Sequence, residues 1–212
     1  MASSKRVFFV NRFYYPDFSA TAQILTDVAE GLADHGWEVH IVTSRRTYDG
    51  DAPGFKPTEE INGVTVHRVY TASFGGKGIL SRVLIYLSFY LCSVLSVLKH
   101  VRKGDVVVSK TDPPILGGPI GLMAKLKGAK RVNWLQDIYP EVAEALGVKL
   151  AGSVTGAMMR GIRDRALSKA SKTVVIGDCM ADRVGTRGIA AEDIVLLQNF
   201  TDDEAIQPLS KS

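Results

Sequence analysis

Between Arg6 and Thr43 the chain spells out a strand, a helix and a second strand in direct succession, and this restricts its fold more than any other feature. Arg6–Asn11 is an unbroken apolar run that ends in a polar loop, the pattern of a strand covered on both faces. Thr21–Asp34 sets Ile24, Leu25, Val28, Ala29 and Leu32 at helical spacing, and Gly36 marks the stop. Glu38–Thr43 then reads as the next strand. A unit of this kind closes as a right-handed parallel crossover, because a twisted strand feeding a helix packs back on its sheet only that way.

The rest of the chain continues the alternation. Strands are expected at Gly63–Val69, Val106–Ser109, Arg131–Leu135, Thr173–Ile176 and Ile194–Leu197, which makes seven with the first two. Helices are expected over about Ile79–Lys103, from the Pro113–Gly118 turn to Lys127, over Ser153–Lys169 and over Cys179–Gly185. Arg45–Glu60, with Gly50, Pro53, Gly54 and Pro57, reads as a long surface loop. The expected fold class is therefore α/β, a doubly wound, mostly parallel, Rossmann-like sheet. A length of 212 residues suits one such domain, here 1–198, with the polar stretch 199–212 as the start of a linker. Ligands in these sheets lie outside the carboxyl ends of the strands, so the loops after Asn11, Ser109 and Leu135 are the ones to inspect.

Several function classes drop out. The loop after the first strand reads NRFYYPDFSATA and has no G-x-G-x-x-G, which a dinucleotide pyrophosphate needs for close backbone approach. Cys92 and Cys179 lie far apart without metal-ligand spacing, and His35, His40, His67 and His100 are not expected to cluster, so neither a metal site nor a catalytic histidine is read. The net charge of +4 suits an anionic partner without choosing one. Arg160, Arg163, Arg165, Lys169 and Lys172 read as a solvated face, with no aromatic platform for nucleic acid. The N-terminal residues have no signal-peptide pattern, so a cytoplasmic protein is expected.

Three clusters carry candidate chemistry. Ser19-Ala20-Thr21 opens a helix whose free N–H groups suit a phosphate or a sugar hydroxyl, although Ser19 serves equally as a plain cap. Gln136-Asp137-Ile138-Tyr139-Pro140-Glu141 places two carboxylates and an amide at the end of a strand. Asp137 and Glu141 there are suited to orient or deprotonate a hydroxyl, and Glu141 alternatively only complements a helix dipole. Thr111 and Asp112, ahead of Pro113-Pro114, either line the same cleft or launch the following helix.

The oddest stretch is Ile79–Leu98, twenty residues with one charge, Arg82. Its length just reaches a membrane span, but the strands that flank it also make it a crossover helix. Two readings remain: a buried crossover helix with one exposed apolar stripe, and a helix that packs on the sheet and dips its outer face into a bilayer interface. The contacts would come from Arg82, Tyr86, Phe89, Tyr90, Lys99, Arg102 and Lys103, with Lys77 as a further basic flank.

Taken together, these residues resemble retaining glycosyltransferase family 4. The resemblance rests on YYPDFSATAQ at Tyr14–Gln23, the L-x-D-H-G-W-E-V-H-I-V-T pattern at Leu32–Thr43, KTDPPILG at Lys110–Gly117, LQDIYPEVAEALG at Leu135–Gly147 and LLQNFTDDEAIQPL at Leu196–Leu209. It is similar to the bacterial cell-surface polysaccharide members, and no single motif is decisive. The resemblance implies the N-terminal, acceptor-side half of a two-domain GT-B fold. No cofactor is implied in this chain, and a nucleotide sugar would be the co-substrate on a C-terminal domain in cis or on a partner chain. It also implies an acceptor on a polyprenyl diphosphate, or a saccharide, at the inner membrane face. A role at the acceptor carries over to Asp137 and, more weakly, to Glu141 and Gln136. Phe18-Ser19 departs from the family's usual glycine. Two competing expectations are a stand-alone binding or regulatory subunit of a two-chain transferase and an unrelated doubly wound enzyme.

Overall fold

The computed structural model describes residues 5–49, 54–73, 78–149 and 152–200. In chain order the elements are β1 (Arg6–Val10), α1 (Ala20–Asp34), β2 (Glu38–Ser44), β3 (Thr58–Ile61), β4 (Val64–Val69), α2 (Ile79–His100), β5 (Val106–Ser109) and α3 (Gly117–Leu126). They are followed by β6 (Lys130–Trp134), α4 (Glu141–Ala145), α5 (Val154–Ser168), β7 (Lys172–Val175), α6 (Asp178–Gly185) and β8 (Ile194–Leu196). One sheet holds all eight strands in the order β3-β4-β2-β1-β5-β6-β7-β8. The doubly wound α/β expectation holds, and every pairing is parallel except β3 with β4.

Strand β3 corrects the sequence reading, which left Thr58–Glu60 in a loop. TEEI has no apolar run because it lies at the sheet edge, half in solvent, folded back on β4 by the Asn62-Gly63 turn. Both turn residues have positive φ, the two-residue hairpin geometry that asparagine and glycine favour. The linker expected at 199–212 falls largely outside the described residues, as does Lys77.

The central strands are apolar on both sides because helices cover both faces. Val108 of β5 joins Phe9, Ile41, Val66 and Trp134 under α1, while Val107 joins Phe8, Val42, Leu116 and Ile120 under α2 and α3. A third cluster, of Leu135, Ile138, Leu167, Val175 and Val184, binds α5 and α6 to the far strands.

Helix α2 is amphipathic, but with its aromatics on the inside. Phe89 is fully buried, Tyr90 donates its hydroxyl to the Pro114 carbonyl, and Tyr86 lies under the Arg12 guanidinium. The expectation that Tyr86, Phe89 and Tyr90 meet a membrane is therefore corrected. Residues 86, 89, 90, 93 and 97 share the face turned to the sheet and the site, by three- and four-residue spacing. The outer face is instead Leu80, Leu84, Leu87, Leu91, Leu95 and Leu98, all exposed, and Arg82, Lys99, Arg102 and Lys103 are exposed as well. By length and composition alone α2 could cross a membrane, yet it joins β4 to β5 of one sheet.

The histidines also correct the sequence reading. His40 of β2, His67 of β4 and His100 at the end of α2 form a stacked column, with ring centroids 5.4 Å and 4.2 Å apart. Nδ1 of His40 lies 3.2 Å from Nε2 of His67, so one ring donates to the other. Positions so far apart in sequence meet only through the β2–β4 pairing and the crossover, which no sequence spacing records. Burial holds all three below their usual range, His67 down to about 4. A histidine kept neutral in the fold supplies stability above its unfolded pKa of about 6.5, and that stability is lost as pH falls towards the folded value. The urea midpoint should therefore drop from about pH 7 to about pH 5, the His67 share being about 2 kcal/mol, and His67→Phe should flatten the profile. A wild-type midpoint constant over that range would contradict the buried neutral column.

Candidate functional site

Strands β1, β5 and β6 end level with one another: Val10 pairs with Ser109, and Ser109 with Asn133. Their following loops, Asn11–Phe18, Lys110–Pro114 and Leu135–Pro140, therefore meet at one edge of the sheet. Each contains one cis X-Pro bond, at Tyr15–Pro16, Asp112–Pro113 and Tyr139–Pro140.

Arg12 ties these loops together. Its N–H donates to the Asp112 carbonyl at 3.1 Å, and its own carbonyl accepts from the Ser44 N–H and the Thr43 hydroxyl, both at 3.0 Å. Its Nε lies 3.3 Å from both oxygens of the Asp112 carboxylate. The guanidinium also covers Phe13 at 4.3 Å and Tyr86 at 5.0 Å, which ties the N-terminal half of α2 to the same edge. Across the edge, the Gln136 N–H donates to the Thr111 hydroxyl at 3.3 Å.

The structure thus brings Thr111, Asp112, Gln136 and Asp137 together. Burial pushes the Asp112 carboxyl up from its ordinary value, Arg12 offsets part of this, and Asp17 and Asp137 add repulsion. Burial raises Asp137 as well, and among the described residues Asp137 has no ion-pair partner. The Tyr139 phenol is raised first by burial and then by Asp137, Tyr86 and Asp112. A half-buried carboxylate without a cation, held above its normal pKa, is a stronger proton acceptor than one in water. Asp137 also lines a small cavity of about 30 Å³ with Lys110, Thr111, Tyr139 and Arg163.

Ser19, Ala20 and Thr21 form the start of α1 as expected. Ser19 stands at the N-cap position with extended backbone, but its hydroxyl makes no capping bond and is buried without a partner. The simple cap reading of Ser19 therefore does not describe this hydroxyl. The Ser19 N–H is taken by the Asp17 carboxylate at 2.8 Å. Two further polar atoms at this edge are buried and unpaired, Oδ1 of Asn11 and Nε2 of Gln136. Buried polar atoms normally find a partner, so these three atoms are open to water or to a polar ligand.

Lys110 is the residue that the sequence reading passed over. It is 1% exposed, and its ammonium donates to the Thr21 carbonyl at 3.1 Å and sits 4.0 Å from the centre of the Trp134 ring. Burial pulls its pKa down to about 7. The one sequence signal was a lysine directly after an apolar strand, inside KTDPP. Arg12 and Asn11 gave even less, because a strand-end arginine or asparagine is common.

Glu141 stands apart from this group. It begins α4, and its two carboxylate oxygens are taken by Arg163 and Arg187, the latter at 2.6 Å. Arg163 is buried and also donates to the Tyr139 carbonyl at 2.7 Å and to Asp164 at 2.8 Å. Both carboxylate oxygens are occupied by guanidiniums, so the proton-accepting expectation for Glu141 does not fit its surroundings. It anchors the loop that carries Asp137. Among the described residues no cluster of histidine, cysteine or carboxylate side chains is suited to hold a metal.

Comparison with known proteins agrees with this architecture. The sequence profile of the glycosyl transferase 4-like domain matches residues 19–199. The putative colanic acid biosynthesis glycosyl transferase WcaI of Escherichia coli K12 is 25% identical over 199 residues, covering 89% of this chain and 48% of that protein. The probable glycosyltransferase WbjE of Pseudomonas aeruginosa is 26% identical over 133 residues, covering 63% of this chain and 33% of that protein. The chain thus spans half or less of the length of these relatives. Sucrose-phosphate synthase from Thermosynechococcus elongatus shares the fold with a TM-score of 0.68 at 12% identity, over 97% of this chain and 50% of that one. HepE from Anabaena, solved with UDP and glucose, does so at 0.53 and 17% identity, over 93% and 45%. The sheet is accordingly one Rossmann-like half of a GT-B architecture.

Proposed function

Because the chain belongs to the glycosyl transferase 4-like domain family, we propose that it is the acceptor side of a glycosyltransferase in bacterial cell-surface polysaccharide assembly. The observation that carries this reading is the set of buried, unpaired polar atoms of Asn11, Ser19 and Gln136 beside the unpaired Asp137 carboxylate. Such an edge suits a hydroxyl-rich ligand, and hydroxyl groups are what an acceptor saccharide presents. Asp137 orients the attacking hydroxyl and takes its proton, while Thr111, Asp112 and Gln136 fix the ring.

The donor is a nucleotide sugar, carrying a hexose or N-acetylhexosamine, held by a second domain in cis or by a partner chain. The loop after β1 carries no glycine-rich phosphate motif, which supports a donor site outside these residues and no turnover by them alone. The acceptor is carried on a lipid. In support, α2 exposes a leucine ridge, has no acidic residue between Leu80 and Gly104, and is edged by Arg82, Lys99, Arg102 and Lys103. Apolar side chains with a basic rim suit the anionic inner face of the plasma membrane, where the protein is peripheral.

Two outcomes test this reading. In the complete enzyme, Asp137→Asn should lower kcat by roughly 10²- to 10⁴-fold with an unchanged urea midpoint. Glu141→Gln should instead weaken the fold by about 3 kcal/mol, because it takes from the buried Arg163 one of its two carboxylate partners. Near-normal turnover of Asp137→Asn would remove Asp137 from the chemistry. Separately, the 212-residue chain should co-sediment with anionic vesicles at low salt, release at high salt, and lose binding in Leu87→Gln/Leu91→Gln. Absence of vesicle binding at low salt would rule out the membrane contact.

A further inference from the structure

Away from the sheet edge, α3 and α5 do not close over β5 and β6. They leave a groove of about 200 Å³. Its upper end is built from glycines. A Cβ on Gly117 would stand 2.3 Å from Oδ1 of Asn133, and one on Gly118 would stand 2.5 Å from Cγ2 of Ile162. The missing side chains let the first turn of α3 press against β6 and α5. One turn later Gly121 meets only Cδ of Arg131, at 3.7 Å, so the space beside it stays open.

The walls are apolar, from Val107, Ile120, Leu122 and Ile162, and the rim is cationic. Lys125 of α3, Arg131 of β6, and Arg165 and Lys169 of α5 surround the groove, and no carboxylate lines it. None of the four takes part in the ion pairs among the described residues, whereas their neighbours do: Arg160 is bound to Glu144, Arg163 to Glu141 and Asp164, and Lys172 to Asp193. The basic run of α5 is therefore split into a neutralised part and a part left open at the groove. The groove adjoins the small cavity beside Asp137, with Ser109, Gly117, Gly118, Asn133 and Ala166 lining both.

We propose that the α3–α5 groove binds an anionic amphiphile, a phosphate or diphosphate group bonded to a hydrocarbon chain. Four cations from three elements take the phosphate oxygens, and the apolar walls take the first carbons of the chain. The proposal rests on the reading of the carboxyl edge as the acceptor site, and it adds where the charged carrier of that acceptor lies. A phosphate alone would use the rim but not the walls, and a neutral lipid would use the walls but not the rim.

The test is binding of farnesyl diphosphate and of inorganic diphosphate to the 212-residue chain by isothermal titration calorimetry. Two variants separate the parts of the site. One carries Lys125→Gln, Arg131→Gln, Arg165→Gln and Lys169→Gln. The other, Gly121→Leu, fills the groove while favouring the α3 helix, and thermal unfolding checks that each is folded. The expected result is saturable farnesyl diphosphate binding, about tenfold or more tighter than inorganic diphosphate, and weakened about tenfold or more by each variant. Absence of saturable binding, or binding that either folded variant leaves unchanged, overturns the proposal. Equal affinity for inorganic diphosphate also overturns it and makes the rim a site for free phosphate. If binding fails while the complete enzyme still depends on Asp137, the groove is wrong and the acceptor reading stands. If binding holds while Asp137→Asn is fully active, the groove stands as a lipid site and the acceptor reading falls.

Discussion

Arg12 is the joint on which the edge of this sheet depends. Its main chain bridges β1 to the end of β2 and to the loop after β5, its guanidinium holds the Asp112 carboxylate, and its flat face lies over Tyr86 of α2. Four elements distant in sequence are fixed relative to one another through a single side chain and its peptide groups. A cation placed there also offsets the burial of Asp112, whose carboxyl nevertheless stays above its normal range. Nearby, Asp137 has no ion-pair partner among the described residues. The edge therefore holds two carboxylates in different electrostatic states, one clamped and one available, which is the arrangement that separates a structural acid from a reactive one.

Around that joint the two faces of the domain do different work. On one face, α1 packs by a continuous apolar stripe, and its first turn meets the buried Lys110 through the Thr21 carbonyl. On the other, α2 and α3 cover the sheet with aromatics and aliphatics while α2 turns a row of leucines outward. An exposed apolar ridge of that length is the mark of a contact surface that something covers. The even basic edging, with no acid along the helix, argues against a second copy of the same ridge, because like charges would then face each other. An anionic surface meets both conditions at once.

The fold was legible in the sequence to the extent that it is local. Hydrophobic runs and helical spacing placed the strands and helices of the parallel core, because each is set by which residues a covered strand or half-covered helix must bury. Strand β3 was not legible, since an edge strand of TEEI carries no burial pattern. The facing of α2 was misjudged for a related reason: aromatic residues near basic ones fit an interface in sequence, but Tyr86 and Tyr90 have polar partners inside, Arg12 and the Pro114 carbonyl. The histidine column and the Arg12 joint were invisible because both are made by parallel register between distant strands. Thr111, Asp112, Gln136 and Asp137 could be singled out because they follow strand ends, which the register brings to one edge, whereas nothing in the sequence shows that Arg163 and Arg187 hold Glu141, one helical turn on.

The central claim is that the edge around Asn11, Gln136 and Asp137 is an acceptor site and not a nucleotide site. It is tested most directly by amide NMR of the isolated chain titrated with UDP-, GDP- and dTDP-sugars. The account predicts no saturable shifts at Asn11, Ser19, Gln136 or Asp137 with any of the three. Saturable shifts at those amides, at a dissociation constant of about 0.1 mM or below, would make this edge the donor side and contradict it.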